Sequence, residues 1–258
     1  MTMRAMVLPA FGEPLRLTTV PVPKAGPGDV LLRVRAAGVG LTVVIMTAVP
    51  GRVTSFPRIP GHEVAGEIVE VGSEVTHVKV GERVACHFYL TCRMCRFCRS
   101  GRETLCTAFR GYVGQACDGG YAEYMAIPAA NVTPIPDTVS DLDAAIATDA
   151  IATPYHACRE EARVGPGDTV LIVGAGGGVG IHGVQMAKLC GGWVVAADVT
   201  DDKLQAAREC GADALVDARR THAEQDVVRP DLRHRHLTQL HGCAELRNDH
   251  GLQLELGA

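Results

Sequence analysis

The sequence predicts an α/β plus β chain, with a barrel-like antiparallel domain followed by an incomplete, doubly wound parallel sheet. Three observations lead there. Residues 1 to about 140 are cut at short intervals by turn signals, among them Gly26-Pro27-Gly28-Asp29, Pro50-Gly51, Pro60-Gly61 and Gly119-Gly120. From about residue 141 the apolar period changes from that of strands to that of helices alternating with buried runs. A cluster of glycines, Gly174 to Gly180, follows the first of those buried runs. The expected division is therefore 1–140, carrying a cysteine-rich lobe at 92–106, then 141–218, then a tail at 219–258.

The elements follow in chain order. Val30 to Val39 and Glu63 to Val71 alternate apolar and polar residues, as half-buried strands do, and Gly72 ends the second. Ser140 or Asp141 is the expected N-cap of an Ala-rich helix reaching Ala162. Thr169 to Val173 is a short β-branched and apolar run suited to a buried parallel strand. A helix over Val179 to Leu189, a strand over Trp193 to Ala197, a helix over Asp201 to Cys210 and a strand over Ala214 to Val216 complete the pattern. Beyond Arg219 no buried strand can be picked out. The tail holds half of the ten histidines and no Lys, and only about a third of it is hydrophobic, against 47% for the chain. Three strands are fewer than a parallel sheet needs to bury its faces. Two readings of the tail stand: a coding frame lost near Arg219, or a short variant whose tail packs as helices over the open sheet edge.

Composition bounds the function. The 258 residues carry a net charge of −4, so no basic excess points to nucleic acid or an anionic membrane. No apolar run reaches the roughly 20 residues of a membrane span, and no secretory signal is seen, so the expected compartment is the cytoplasm. Ten cysteines in such a chain read as thiols or metal ligands rather than as a disulfide framework.

Four of them stand as C-x2-C-x2-C-x7-C at Cys92, Cys95, Cys98 and Cys106. Two-residue spacers let a tight turn aim successive thiolates at one point, and the longer spacer lets the chain return with the fourth. The expected ligand is a structural zinc in a closed tetrahedral site, which holds a lobe and does no chemistry.

The glycines Gly174, Gly176, Gly177, Gly178 and Gly180 lie between a strand and a helix, where they admit a pyrophosphate to free N–H groups at the helix start. The spacing is Gly174-x-x-Gly177-x-x-Gly180, and Val179 stands where a strict G-x-G-x-x-G register would have its third glycine. Asp198 ends the second strand of this unit, 18 residues after Gly180. A carboxylate there accepts hydrogen bonds from the adenosine ribose and repels a 2′-phosphate, so NAD is expected over NADP.

These residues resemble the zinc-containing medium-chain alcohol dehydrogenases. Gly61-His62-Glu63-Val64-Ala65-Gly66 with Gly72 is similar to that family's zinc signature, and the four-cysteine lobe to its structural zinc lobe. Asp118-Gly119-Gly120-Tyr121-Ala122-Glu123-Tyr124 and Thr153-Pro154-Tyr155-His156 also resemble family motifs. The resemblance covers residues 1 to about 218. It implies a GroES-like catalytic domain, a Rossmann-type NAD domain and an active site in the cleft between them. It also implies a small-molecule alcohol or carbonyl substrate and a homo-oligomer. Cofactor contacts are implied at Thr153, Gly174, Gly177, Gly178, Val179, Gly180, Asp198 and Lys203.

The reacting centre departs from the family pattern. Gly40 stands where the family has the first cysteine ligand of a catalytic zinc, Leu41 where a basic residue is common, and Ile45 where a relay histidine is common. Thr42 is retained at the position that receives the alcohol proton. Asp149 stands at the third-ligand position, leaving His62, Asp149 and Glu63 as the expected catalytic-zinc set, with Glu63 facing away if the segment is a strand. The expected function is an NAD-dependent alcohol dehydrogenase impaired by truncation. Two alternatives remain: a zinc-free quinone or enoyl reductase of the same fold, and an inactive zinc-binding remnant.

Overall fold

Alternation decides the first sheet. In β3 (Asp29–Ala37) and β4 (Val64–Val71) the fully buried Val30, Leu32, Val64 and Ile68 join one core, while Ala36 and Ala65 pack in another cluster. The structure, a computed structural model, describes residues 1–219 and 237–240. Its chain divides into two compact units, Met1–Thr153 and Pro154–Ala258. The second unit starts 13 residues later than the residue-141 start read from the sequence, at Pro154. The reason is that α2 (Asp141–Ile146) packs its Ala144 and Ala145 on Ala36 of β3 and Ala65 of β4.

The first unit contains β1 (Thr2–Val7), paired antiparallel with β2 (Arg16–Pro21), and a five-stranded antiparallel sheet. With β5 (Arg83–Cys86), β6 (Tyr124–Pro128) and β7 (Val132–Pro134), the sheet order is β6-β3-β4-β5-β7. Between β3 and β4 the register slips at Leu31/Leu32 and at Val34/Ala36. Such bulges add local twist, which lets a short sheet curve over a core. That core gathers Val30, Leu32, Ile68, Val84, Met125 and Ile127. A short helix, α1 (Leu41–Ala48), leaves the end of β3.

The Ala-rich stretch is helical, but not as one regular α-helix. Ser140 caps α2, its Oγ accepting the Asp143 N–H at 3.1 Å. A π-helical turn follows at Ala147–Ile151, then α3 (Ala152–His156) and a second π-helical turn at Ala157–Glu161. Periodicity in the sequence cannot show such widened turns, because each displaces the pattern by about one residue.

The second unit is a parallel sheet. It comprises β8 (Thr169–Val173), β9 (Trp193–Asp198), β10 (Ala214–Asp217) and β11 (Leu237–Leu240), in the order β10-β9-β8-β11. Helices α4 (Gly178–Leu189) and α5 (Asp201–Glu209) connect the first three strands, and Val170, Ile172, Val184, Val194, Ala196 and Ala207 form the core. The expectation of no strand beyond Arg219 is corrected by β11, which pairs in parallel with β8, Leu237 opposite Thr169. Four residues with no alternation give too short a signal to read. A central parallel strand also needs partners on both sides for its backbone groups. The rest of the tail read as out of frame, at 220–236 and 241–258, lies outside the described residues. The strand order reverses at β8, and the Gly174 turn springs from the carboxyl end of that strand, where ligands of open α/β sheets bind.

Replacing the α2 cap tests how this helix is anchored. Ser140→Ala is expected to destabilise the chain by about 0.5–2 kcal/mol, and Ser140→Asp to restore most of that. Equilibrium urea unfolding measures both, and a Ser140→Ala midpoint equal to the parent's contradicts the role of the cap.

Candidate active site and metal centre

The cysteine lobe is built from turns. Arg93 adopts a left-handed backbone (φ 59°), which folds Cys92 and Cys95 toward one point. Short 3-10 turns at Cys98–Ser100 and Glu103–Leu105 carry the other two thiols. The four sulfurs lie within 4.8 Å of one another. The separations are 3.5 Å for Cys95–Cys98, 3.5 Å for Cys92–Cys106 and 3.9 Å for Cys92–Cys98. A tetrahedral zinc with bonds of about 2.3 Å requires sulfurs roughly 3.8 Å apart, so the cage fits the ion. Backbone N–H groups of Cys98 and Thr107 pull the Cys95 thiol down to about 5, while burial pushes Cys98 up to about 11. Arg96 lies over the Phe97 ring at 4.6 Å, and the Arg93 guanidinium donates to the Ala130 carbonyl, tying the lobe to the chain beside β6.

Elsewhere in the first unit, His62 and Asp149 meet. His62 Nε2 and Asp149 Oδ2 are 3.0 Å apart, and the Thr153 hydroxyl donates to Asp149 Oδ1 at 2.7 Å. His62 is 12% exposed and Asp149 22%. Burial pushes the Asp149 carboxyl up, but the bonds from His62 and Thr153 outweigh it and hold the group below its ordinary range. Asp149 lies within the π-helical turn, and the Ala150 N–H of that turn donates to Glu63 Oε1 at 3.1 Å. Glu63, just ahead of β4, is thus tied to the turn that carries Asp149. Its carboxylate also lies against Gly38, where a β-carbon would overlap Glu63 Oε2. The Tyr121 hydroxyl donates to the Gly38 carbonyl at 2.8 Å and so braces the same segment.

The expected metal set is thus not assembled as three converging donors. Among the described residues only the four cysteines form a group of three or more. Thr42 lies in the first turn of α1 and makes no hydrogen bond to His62 or Asp149. The hydroxyl bonded to the pair belongs to Thr153, which the sequence reading had assigned to the cofactor. That reading also missed the run His87-Phe88-Tyr89 beyond β5. The Phe88 ring meets His62 edge-on at 5.1 Å, and His87, its imidazole pushed toward the neutral form by burial, stacks on Tyr89 at 5.5 Å. Three consecutive rings after a strand, in a chain with only 4% aromatic residues, were the available signal.

In the second unit the glycines have distinct tasks. Gly174 takes φ +71°, which only glycine adopts freely, and its N–H donates to the Ala197 carbonyl at 2.8 Å. A β-carbon at Gly176 would overlap the Lys203 side chain, and one at Gly180 would overlap the Gly174 carbonyl. Those two glycines serve packing. Gly178, by contrast, faces open space, and Gly177 begins α4 without a side-chain cap. The N–H groups of Gly178, Val179 and Gly180 thus open a 12-residue helix that has no acidic side chain in its first turn. Asp198 is 4% exposed. It accepts from Gly176 N–H at 2.9 Å and Val199 N–H at 2.7 Å, with Lys203 Nζ 3.6 Å away. The turn is open where an anion would enter and shut where the helices pack.

Comparison with known proteins agrees with this layout. The family model for the alcohol dehydrogenase GroES-like domain matches residues 26–137, and that for zinc-binding dehydrogenase matches 178–231. An alcohol dehydrogenase of Geobacillus stearothermophilus is 42% identical over 225 residues, 86% of this chain and 66% of its own length. One of Rhizobium meliloti (strain 1021) is 40% identical over 231 residues, 89% of this chain and 67% of its own. The structure of acetophenone reductase from Geotrichum candidum NBRC 4597, in complex with NAD, superposes with a TM-score of 0.77 at 36% identity. It covers 84% of this chain and 64% of that one. The chain spans about two thirds of the length of the curated relatives it matches.

Metal analysis tests the cysteine cage. Purified protein is expected to retain zinc on Cys92, Cys95, Cys98 and Cys106 and to lose it when Cys95→Ser and Cys98→Ser are combined. A zinc content unaffected by the double change rules this assignment out.

Proposed function

The chain belongs to the zinc-containing medium-chain alcohol dehydrogenase family, and on that basis we propose that it is an NAD-dependent oxidoreductase interconverting a small alcohol and its carbonyl compound. The observation that carries the reading is the Gly174–Gly180 turn closed by Asp198. The free N–H groups of Gly178, Val179 and Gly180 would hold the pyrophosphate, aided by the positive end of α4. Each Asp198 oxygen already accepts one N–H, and a carboxylate oxygen has capacity for a second bond. The ribose hydroxyls would take that capacity, with Lys203 beside them, and the buried charge disfavours a 2′-phosphate. Bound NAD supplies the hydride acceptor for the oxidation.

The protein must then handle the proton. His62 is placed to take it from the alcohol and return it to the carbonyl product in the reverse direction. Asp149, held ionised by its bonds to His62 and Thr153, stabilises the imidazolium and fixes the ring orientation. Thr153 orients Asp149. Phe88, edge-on to His62, gives the centre an apolar wall. The zinc expected in the cysteine cage keeps its lobe folded and touches no reactant. Gly40 favours a second reading, a quinone or enoyl reductase on the same fold, because such chemistry needs no Lewis acid beside His62.

Isothermal titration and absorbance kinetics test the proposal. The parent chain is expected to bind NAD more tightly than NADP and to form NADH in the presence of alcohols. Asp198→Ala is expected to weaken NAD binding and narrow the gap to NADP, and His62→Ala to lower kcat about 10²- to 10⁴-fold with NAD affinity unchanged. Equal affinity for both cofactors in the parent contradicts the role of Asp198. NAD binding without alcohol-dependent turnover overturns the dehydrogenase reading.

A further inference from the structure

A catalytic zinc in this fold needs three protein donors and one open position. In the first unit two donors face one another, His62 Nε2 and Asp149 Oδ2, 3.0 Å apart. The sequence offers two positions for a third, Gly40 and Glu63. Gly40 has no side chain, its backbone is extended (φ −119°, ψ 173°), and a β-carbon there would meet nothing within 4 Å. The first carbon of a longer side chain would therefore find open space there. Glu63 is 7% exposed and committed elsewhere, with Oε1 on the Ala150 N–H and Oε2 against Gly38. Turning it toward His62 would strip a buried carboxylate of its N–H donor, which is costly in itself. The donor set does not fit a zinc held by three protein ligands.

We infer that the centre of this chain works without zinc, the His62–Asp149 pair standing where the metal would be, and that Gly40 is the residue that decides it. The pair satisfies itself: the imidazole bonds one carboxylate oxygen and the Thr153 hydroxyl bonds the other. A divalent ion would have to break the first bond and would gain only one nitrogen and one carboxylate. The thiolates of the cysteine cage, four donors already converging, take the metal instead. This inference rests on the proposed function for its meaning, since His62 and Asp149 matter as the reaction centre, but the metal count is independent of it.

The experiment uses the whole 258-residue chain, loaded with zinc, dialysed and assayed for metal equivalents. The expected result is one zinc in the parent, one in Asp149→Asn and two in Gly40→Cys, where the open space accepts the new side chain. In the cobalt-substituted Gly40→Cys protein, thiolate-to-cobalt absorption is expected to exceed that of the parent. Two zincs in the parent, falling to one in Asp149→Asn, overturn the inference. One zinc in Gly40→Cys also overturns it, because the gap at residue 40 would then not be decisive. Calorimetry with NAD on the same samples separates this from the functional proposal. Lost NAD affinity speaks against the oxidoreductase reading and leaves the metal count standing.

Discussion

The chemistry of the first unit depends on the way the backbone widens at Ala147–Ile151. A regular α-helix pairs its interior N–H groups with carbonyls four residues back and spaces its side chains at fixed steps. The π-helical turn breaks both habits. It donates the Ala150 N–H to Glu63 and sets Asp149 where it reaches His62, 87 residues earlier in the chain. It also sets Thr153, four residues on, against the other oxygen of Asp149. Two carboxylates that would repel if they shared one pocket are thereby parted onto separate donors. Ser140 fixes where the helix starts, and Ala144 and Ala145 fix its depth on the sheet, so the position of Asp149 is inherited from packing that lies outside the centre.

The second unit works under a different constraint, the nearness of backbones. The N–H of Gly174 and of Ala175 bond the Ala197 carbonyl, Gly177 N–H bonds the Gly174 carbonyl, and Gly176 N–H bonds Asp198. The turn is knitted before any cofactor arrives, so little conformational entropy remains to be lost on binding. Glycine is needed at Gly176 because Lys203 of α5 comes so close, and at Gly180 because the Gly174 carbonyl does. Strand β11 matters to the same site. By lying beside β8 on the side away from β9, it makes β8 the point where the strand order reverses.

Much of this was legible in the sequence, and the exceptions have physical causes. The cysteine cage was readable because all its donors lie within 15 residues and their spacing alone encodes convergence. Strands β3, β4, β8 and β9 were readable because alternation or a buried run reports burial directly. The π-helical turns were not readable, since a helix of either kind draws on the same Ala-rich composition. Nor was β11, four residues without alternation. The bond between Thr153 and Asp149 was missed because a local i, i+4 contact was overlooked in favour of a family position. His87 and Phe88 carried a signal, three rings after a strand, that no motif had singled out.

The two donor sets differ in how they withstand substitution. The cage is local: one turn and two 3-10 segments bring its thiols together, and each sulfur has other sulfurs within 4 Å whatever the rest of the chain does. The centre is distributed, from the segment before β4 to the π-helical turn, so its members share no local spacing rule. In a distributed set the loss of one donor leaves the others in place, because packing elsewhere positions them. His62 and Asp149 stay close together for that reason. Two such groups without a third partner cannot remain unpaired in a partly buried site, and the least costly resolution is to bond each other. The pair that results is itself a proton-transfer unit, a histidine oriented by an ionised carboxylate.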